Sequence, residues 1–316
     1  MISSLTEDGT AYRGGPFVGL DLPDSAMNYR HAFHAGNFAD VMKHLALMLV
    51  LQHLVRKDKP FRVVDTHAGV GLYDLTSDPA KRTGEADGGI TLLRSRVAGR
   101  ANAPISVDGQ LTDFFELIDR ALRRVAHSDD KTRYPGSPLL ARALIRSVDR
   151  LHANELHPED AAQLKALFGR DRAVVLTERT GWDIVKAVLP PKERRGLVLI
   201  DPPFEEPGEF DRIVEALVQG RRRFDHGIYL AWYPIKDHAA VARFYDAVVG
   251  AGLTDTHACE LQVGKEGLER GLTATGLIVR NPPFQFLENY GAVLAQLSID
   301  LAQDADASSQ IYTLAD

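Results

Sequence analysis

The sequence predicts an α/β fold with a Rossmann-like sheet whose strands are mostly parallel and whose last strand is antiparallel. In the segment 197–204, four apolar residues precede Asp201 and a Pro-Pro pair. Such a run is typical of a strand buried on both faces of a parallel sheet. Similar short apolar runs alternate with helical patterns along the chain, as in βαβ units. Between the last two predicted strands, the short Gly-rich connection 264–271 suits an antiparallel hairpin.

The composition is that of an ordinary globular protein. The chain has 316 residues, 45% hydrophobic and 25% charged, which is enough for one large or two modest domains. No apolar run approaches the roughly 18 residues of a membrane span, and the N-terminus lacks a signal-peptide pattern. The single cysteine, Cys259, excludes an internal disulfide. We therefore expect a cytoplasmic protein with no membrane partner.

The charge argues against indiscriminate nucleic-acid binding. The formal net charge is -6 at pH 7, whereas proteins that coat phosphate backbones carry an excess of Lys and Arg. Basic residues are nevertheless clustered at 81–82, 123–124, 194–195 and 221–223. Each cluster is either a local positive patch or a solvated helix end. A selective enzyme that acts on one nucleotide tolerates this net charge better than a coating protein does.

The N-terminal part divides into a tail and a helix. Residues 1–28 are rich in Ser, Gly, Asp and Pro, which predicts a disordered tail. We expect order to begin at Tyr29. An apolar stripe with helical spacing covers residues 40–56, and Asn37 or Gly36 is the expected cap.

The first predicted strand, residues 61–65, ends in an acidic residue and leads into a turn that contains Gly69 and Gly71. In nucleoside-binding sheets such a turn lets the backbone approach the ligand closely. A carboxylate at the end of the second strand usually binds the ribose hydroxyls, and Glu155 is the candidate. Because Glu155 lies much farther along than the roughly 20 residues of an uninterrupted unit, an insertion must separate the two strands.

The insertion is predicted to be a small helical subdomain at about residues 76–133, near the mouth of the site. Its apolar residues at 111, 114, 115, 118 and 122 recur at helical spacing. In the next helix, Ser137 is a good N-cap and Pro138 a good first residue. That helix starts over the carboxyl edge of the sheet, so Ser137 either lies beside a ligand or is only a cap. The sequence leaves both open.

The remaining elements decide which of two Pro-Pro motifs lies at the site. The predicted strands and helices are 173–177, 181–188, 197–200, 227–233, 236–250, 256–263 and 273–279. Asp201 follows a parallel strand and therefore lies at the carboxyl edge, where open α/β sheets bind ligands. The second motif, 281–284, follows the antiparallel strand. Asn281 is therefore expected on the opposite side, as a structural turn.

Asp201 and its neighbours suit the recognition of an amino group on a planar base. Two successive prolines remove backbone donors, so carbonyls and the Asp201 carboxylate are free to accept hydrogen bonds beside the Phe204 ring. This pattern resembles the (Asp/Asn/Ser)-Pro-Pro-(Tyr/Phe) motif of amino-group methyltransferases that use S-adenosylmethionine. The Asp-x-x-x-Gly-x-Gly pattern at 65–71 is similar to the first motif of methyltransferases.

Further segments resemble one family closely: 29–44, 65–69, 134–138, 155–158, 194–204, 232–234 and 281–283. On these residues the chain is similar to the RlmJ family of 23S ribosomal RNA adenine-N6 methyltransferases. The resemblance implies a class I methyltransferase domain over residues 29–290 and a C-terminal segment, 291–316. It also implies S-adenosylmethionine as cofactor, with S-adenosylhomocysteine as product. The implied partner is 23S ribosomal RNA, met by a monomer before ribosome assembly is complete.

The resemblance also implies residue roles. The S-adenosylmethionine site is expected to contain Lys43, His44, His67, Ser137, Glu155, Thr180, Gly181 and Asp201. Asp201 is the expected catalytic residue, while Tyr29, His31 and Phe204 are expected to contact the RNA. Two positions depart from the family pattern. Thr180 stands where an acidic residue is usual, and Phe204 replaces the commoner tyrosine.

Other interpretations are disfavoured or open. His31, His34, Asp40 and His44 invite a metal site, but there is no HExxH motif and we expect no metal. Cys259 lies in a predicted strand and is expected to be a core residue rather than a nucleophile. Two functional alternatives remain: an amino methyltransferase for DNA adenine or a protein side chain, and a noncatalytic RNA-binding factor with this fold.

Overall fold

The fold is built on an eight-stranded sheet, with a second sheet of two short strands. The computed structural model describes residues 30–99, 105–125, 130–265 and 271–316, without the side chains of 105–108. The predicted tail and Tyr29 lie outside these ranges. The strands are β1 (Arg62–Asp65), β2 (Leu72–Asp74), β3 (Arg133–Pro135), β4 (Arg150–Asn154), β5 (Val174–Thr177), β6 (Gly196–Ile200), β7 (Ile228–Pro234), β8 (Thr256–Gln262), β9 (Ala274–Arg280) and β10 (Ser308–Ala315).

The order of the main sheet is β10-β8-β9-β7-β6-β1-β4-β5. Strands β5, β4, β1, β6 and β7 are parallel, and β9 runs antiparallel between β7 and β8. The predicted antiparallel direction of β9 is therefore confirmed. The sequence did not predict β10, which pairs antiparallel with β8. As an edge strand with half of its residues exposed and the other half partly buried, it lacks the apolar run that identifies a buried strand.

Helices cover both faces of the main sheet. They are α1 (Phe38–Val55), α2 (Asp78–Thr83), α3 (Leu92–Ala98), α4 (Ile105–Arg124), α5 (Ser137–Leu144), α6 (Pro158–Phe168), α7 (Gly181–Val188), α8 (Glu209–Arg223), α9 (His238–Gly250) and α10 (Phe286–Asp300). Apolar residues of α1, α4, α5 and α10 form one core, and those of α7, α8 and α9 form another. In β6, Leu197 and Leu199 enter the first core, while Val198 and Ile200 enter the second. The prediction that this strand is buried on both faces is confirmed.

Helix α1 is the central helix of the first core. The sequence predicted a one-sided stripe, but the helix is buried on most of its circumference because α5, α10 and the inserted region pack around it. Asn37 caps it, since its side chain accepts a hydrogen bond from the Asp40 amide at 2.8 Å. By length and composition α1 could cross a membrane, yet 78% of it is buried inside the protein, as in a core helix.

The inserted region lies between β2 and β3, which pair antiparallel with each other. It contains α2, α3 and α4. Its residues Leu111, Phe114 and Ile118 join the same core as α1. After residue 290, the rest of α10 packs into this core and β10 extends the sheet. Among the described residues, therefore, neither the insertion nor the C-terminal segment has a core of its own.

Candidate active site

A cavity of about 910 Å³ opens at the carboxyl edge of the parallel strands. It lies beyond the carboxyl ends of β1, β4 and β6. Strand β1 lies between β4 and β6, so the connections that follow these strands leave in opposite directions and open a crevice between them. Every predicted site residue in the described part of the chain lines it: His31, Lys43, His44, His67, Ser137, Glu155, Thr180, Gly181, Asp201 and Phe204.

The turn after β1 meets the end of β4 through Glu155. The Gly69 amide donates to one carboxylate oxygen and the His157 amide to the other, each at 2.8 Å. Gly69 has a φ of 60°, and a Cβ there would overlap the hydroxyl of Tyr73, so this position requires glycine. Burial raises the pKa of Glu155, and the two backbone donors oppose that shift. Each oxygen retains a lone pair for a ligand hydroxyl.

Asp65 ends β1 as a buried acceptor. The Ser137 hydroxyl donates to its Oδ2 at 2.6 Å. Ser137 is thus not the N-cap that the sequence predicted. Helix α5 begins at Ser137 itself, Gly136 precedes it, and the hydroxyl turns to Asp65 instead. The Oδ1 atom has no hydrogen-bond partner among the described residues. Burial, with a smaller contribution from nearby Asp201, raises the pKa of Asp65 to about 7.

The ring of His67 packs against the start of α7. It makes an edge-on contact with Trp182, with 5.3 Å between ring centroids. A Cβ on Gly181 would overlap the His67 ring, so the two residues fit only because position 181 is glycine. Burial lowers the pKa of His67 to about 3, and the ring is neutral at pH 7. Thr180 caps α7 by accepting a hydrogen bond from the Asp183 amide at 3.3 Å.

A buried charge network surrounds Lys43. Its ammonium group contacts Asp201 and donates to Asp40 Oδ1 at 2.8 Å. The other oxygen of Asp40 lies 2.9 Å from both the Gly36 amide and His31 Nε2. Burial opposes charge here, but His31 and Lys43 hold the pKa of Asp40 well below its usual range. Asp201 and Asp40 likewise overcome burial and raise the pKa of Lys43, which is therefore a permanent cation beside Asp201.

The role of Asp40 was not predicted from the sequence, where this residue was a candidate only for a metal site. Its spacing from Lys43 was the available signal, because residues three apart on a helix are neighbours. His44 lies one residue farther, and its Nδ1 is 2.7 Å from the Tyr134 hydroxyl. Burial lowers the pKa of His44 to about 3, so this ring is neutral as well.

Phe204 forms an aromatic wall of the cavity. Its ring stands edge-on to Phe210 and Trp232, with centroids 5.0 and 5.6 Å away, and these contacts fix its orientation. Glu209 also lines this wall, and burial raises its pKa to about 7. Neither Glu209 nor Trp232 was predicted from the sequence to lie in the site. Trp232 comes near Phe204 only because β7 pairs with β6.

The first described residues also meet the cavity. Arg30 pairs with Glu159 and Asp160 at the start of α6, at 2.5 and 3.1 Å. His31 contacts Tyr73 edge-on, with centroids 5.2 Å apart. The segment before α1 is therefore anchored beside the end of β4.

The second Pro-Pro motif lies at the opposite edge, as predicted. The Asn281 side chain donates to the carbonyls of Asp225 and Gly227, each at 2.6 Å, and Phe284 is 81% exposed. Cys259 is a core residue of β8 with no exposed surface. In the described ranges, no group of three or more His, Cys, Asp or Glu residues is arranged to hold a metal ion.

Comparison with known proteins decides the family. Residues 58–312 match the family model described as "Ribosomal RNA large subunit methyltransferase D, RlmJ". The chain belongs to this family. Two curated relatives are each named ribosomal RNA large subunit methyltransferase J and are 38% identical to this chain. The Haemophilus influenzae protein matches over 89% of this chain and 96% of its own, and the Escherichia coli protein over 86% and 92%.

A solved structure supports the fold of this RlmJ-family chain. The crystal structure of a protein from Legionella pneumophila is 32% identical, covers 89% of this chain and 98% of its own, and has a TM-score of 0.76. Together with the strand order, these matches confirm the predicted Rossmann-like class I methyltransferase sheet.

Proposed function

We propose that this RlmJ-family protein transfers a methyl group from S-adenosylmethionine to N6 of an adenine in 23S ribosomal RNA. One observation carries the proposal. Asp201 and Phe204, which suit an amino group on a planar base, line the same cavity as Gly69 and Glu155, which suit a nucleoside. The names of the two curated relatives support ribosomal RNA of the large subunit as the substrate class.

The cavity residues fit S-adenosylmethionine. Glu155 has lone pairs for the ribose hydroxyls, and Gly69 allows close approach to the backbone. The unpaired Oδ1 of buried Asp65 is an acceptor for an ammonium group. When bound, the cofactor supplies an electrophilic methyl group on a positively charged sulfur. His67 is neutral and therefore does not repel that charge.

The remaining predicted cofactor residues support this site in different ways. Ser137 acts through its hydrogen bond to Asp65, and Thr180 acts by starting α7 beside Gly181. His44 and Lys43 follow one another on α1 and line the wall. Of these, Lys43 also contacts Asp201 and thereby links the cofactor side to the reacting base.

Asp201 prepares the amino group for attack. The N6 lone pair of adenine is delocalised into the ring, so the amine is a poor nucleophile. When the Asp201 carboxylate and the Pro202 carbonyl accept its two hydrogens, the nitrogen becomes pyramidal and its lone pair is directed at the methyl group. The cation of Lys43 holds the Asp201 carboxylate in place, and Asp201 takes the surplus proton as or after the N–C bond forms.

Phe204 holds the base. An adenine inside a helix cannot reach the methyl group, so it must be extruded and stacked on an aromatic ring. The contacts of Phe204 with Phe210 and Trp232 fix that ring in advance. We propose that Tyr29 and His31 contact the RNA; of these two residues, His31 lines the cavity.

We infer the working state of the protein as well. We propose that the protein acts as a monomer, as the family resemblance implies. The adenine must be free to leave its helix, so we place the reaction on 23S RNA before the ribosome is fully assembled. That RNA is found in the cytoplasm.

The second Pro-Pro motif supplies a matched test. Asp201→Ala should abolish transfer of labelled methyl from S-adenosylmethionine to deproteinised 23S RNA, while Asn281→Ala should retain it. Near-normal turnover by Asp201→Ala at an unchanged unfolding midpoint would refute the mechanism. Methylation of DNA or protein in place of RNA would favour the alternative substrates. Failure of the wild type to bind S-adenosylmethionine in calorimetry would favour a noncatalytic factor.

A further inference from the structure

A band of positive charge crosses the amino edge of the sheet, opposite the cavity. Strands β1, β6 and β7 begin there side by side. The loop after α1, the loop before β6 and the end of α8 meet at this edge. We define the basic band as Lys57, Lys59, Arg194, Arg195, Arg222 and Arg223.

Hydrogen bonds join the segments of the band. Arg195 donates to the carbonyls of Lys59 at 3.0 Å and Leu54 at 2.7 Å. The Nε2 atom of His226 lies 2.9 Å from the carbonyl of Arg194, which ties the loop before β6 to the residues after α8. The sequence left open whether 194–195 and 221–223 are patches or separate helix ends. The structure joins them into one surface.

Five of the six cations of the band are exposed, and Arg195 is partly buried. Five of them make no ion pair with any residue in the described ranges: Lys57, Lys59, Arg194, Arg222 and Arg223. Like charges also crowd this edge. Burial and the nearby cations Arg56, Arg195 and Lys57 together lower the pKa of His53. The exposed carboxylate of Asp58 lies between Lys57 and Lys59, but the five exposed cations outnumber it. Such an excess of positive charge is stabilised by a polyanion.

The lining of the cavity has the opposite character. Its described lining contains eight carboxylates, Asp40, Glu85, Glu155, Asp160, Asp201, Glu205, Glu206 and Glu209, and only three Lys or Arg side chains, Lys43, Arg212 and Lys236. Lys43 is already paired with two of these carboxylates. The cavity therefore suits a base and its amino group but attracts phosphates poorly. Phosphate contacts supply most nonspecific affinity for RNA, so that affinity must come from another surface.

We propose that the basic band is a second contact surface, which binds the phosphate backbone of the RNA substrate at a distance from the cavity. The starts of β1, β6 and β7 span about 10 Å at about 4.8 Å per strand. Along the strand direction, the five residues of β6 separate the band from Asp201 by about 17 Å. An RNA that engages both must pass around the protein from the carboxyl edge to the amino edge of the sheet, which is a longer path than this straight distance.

The identity of the RNA rests on the proposed function, but binding by the band is measured without methylation. The test compares two double variants. The band variant, Arg222→Gln/Arg223→Gln, removes two cations of the band. The control variant, Lys165→Gln/Arg243→Gln, removes two exposed cations outside it. The probe is 23S RNA transcribed in vitro, and its Kd is measured from about 50 to about 200 mM KCl. The band variant should bind about tenfold more weakly, with a salt slope lower by about two. The control should match the wild type.

Methylation supplies an independent readout. The band variant should raise KM for 23S RNA about tenfold with unchanged kcat, and should leave KM unchanged for the shortest stem–loop that the wild type methylates. The proposal would be overturned if the band variant kept the wild-type Kd and salt slope. It would also be overturned if the control variant lost as much affinity for RNA, or if the band variant raised KM equally for the stem–loop. If the wild type methylated no RNA while the band variant still lost RNA binding, the proposed function would fail and the band would stand.

Discussion

The ammonium group of Lys43 contacts the carboxylate of Asp201, although Lys43 lies within α1 and Asp201 follows β6. The two side chains are only 4% and 13% exposed, so salt and water screen the pair weakly. This contact joins the first core to the carboxyl edge of the sheet. It also orients the carboxylate of Asp201 as a hydrogen-bond acceptor.

Replacing Lys43 by Met should test this pair. The variant leaves the buried Asp40 and Asp201 without their shared cation, so we expect the unfolding free energy to fall by about 3–5 kcal/mol. The single-turnover rate should fall at least about a hundredfold, as on loss of a preorganised charge. Urea unfolding and rapid-quench methylation measure the two effects. Exposed Lys165→Met should change stability by less than about 0.5 kcal/mol, and wild-type stability in the Lys43 variant would contradict the pairing.

Phe204 has a matched partner in Phe284, the aromatic residue of the second Pro-Pro motif. Phe204→Ala should raise KM for RNA roughly 5- to 150-fold, since stacking contributes about 1–3 kcal/mol per base. Phe204→Tyr keeps the ring and should remain active. Phe284 is 81% exposed, and its Ala variant should behave as wild type in the same steady-state assay. Equal KM values for the two Ala variants would argue against stacking on Phe204.

Asp65 should make stability depend on pH. Its folded pKa of about 7 lies above the ordinary value of 3.8, so the folded state holds the proton more tightly. The resulting stabilisation is complete below about pH 4 and is lost as the pH rises through about 7. It amounts to at most about 4 kcal/mol. Asp65→Asn keeps an acceptor for Ser137 and should flatten that loss.

Urea unfolding between about pH 5 and pH 8 measures this difference. The exposed carboxyl of Asp58 provides the control, because Asp58→Asn should keep the pH slope of the wild type. An Asp65→Asn variant whose stability still fell with the wild-type slope would show that other groups cause the dependence.

Gly181 should be required for cofactor binding. A Cβ at this position would overlap the His67 ring, so Gly181→Ala must displace the ring or the start of α7. We expect at least about tenfold weaker binding of S-adenosylmethionine, or about 1.4 kcal/mol, measured by calorimetry. At Gly250 an added Cβ meets nothing within 4 Å, and Gly250→Ala should bind normally. Normal binding of S-adenosylmethionine by Gly181→Ala would show that the start of α7 is not part of the cofactor site.

Much of the sheet was predictable because buried parallel strands consist of continuous runs of apolar residues. The segment that forms β6 is the clearest example, since all five of its residues are buried. The edge strand β10 was missed for the converse reason, because half-exposed residues carry no such run. Ser137 was misplaced by one position. Its hydroxyl satisfied the local rule for a cap, but the distant carboxylate of Asp65 took the hydrogen bond.

The amino acid order alone determined the α/β class, the acceptor motif at Asp201 and its placement at the carboxyl edge, because these follow from local periodicity and strand direction. Only the tertiary structure decided that Lys43 neutralises Asp201, that Asp65 keeps an unpaired oxygen, and that separate basic clusters form one band. Those features depend on which distant side chains packing brings within a few ångströms, and no spacing along the chain encodes that distance.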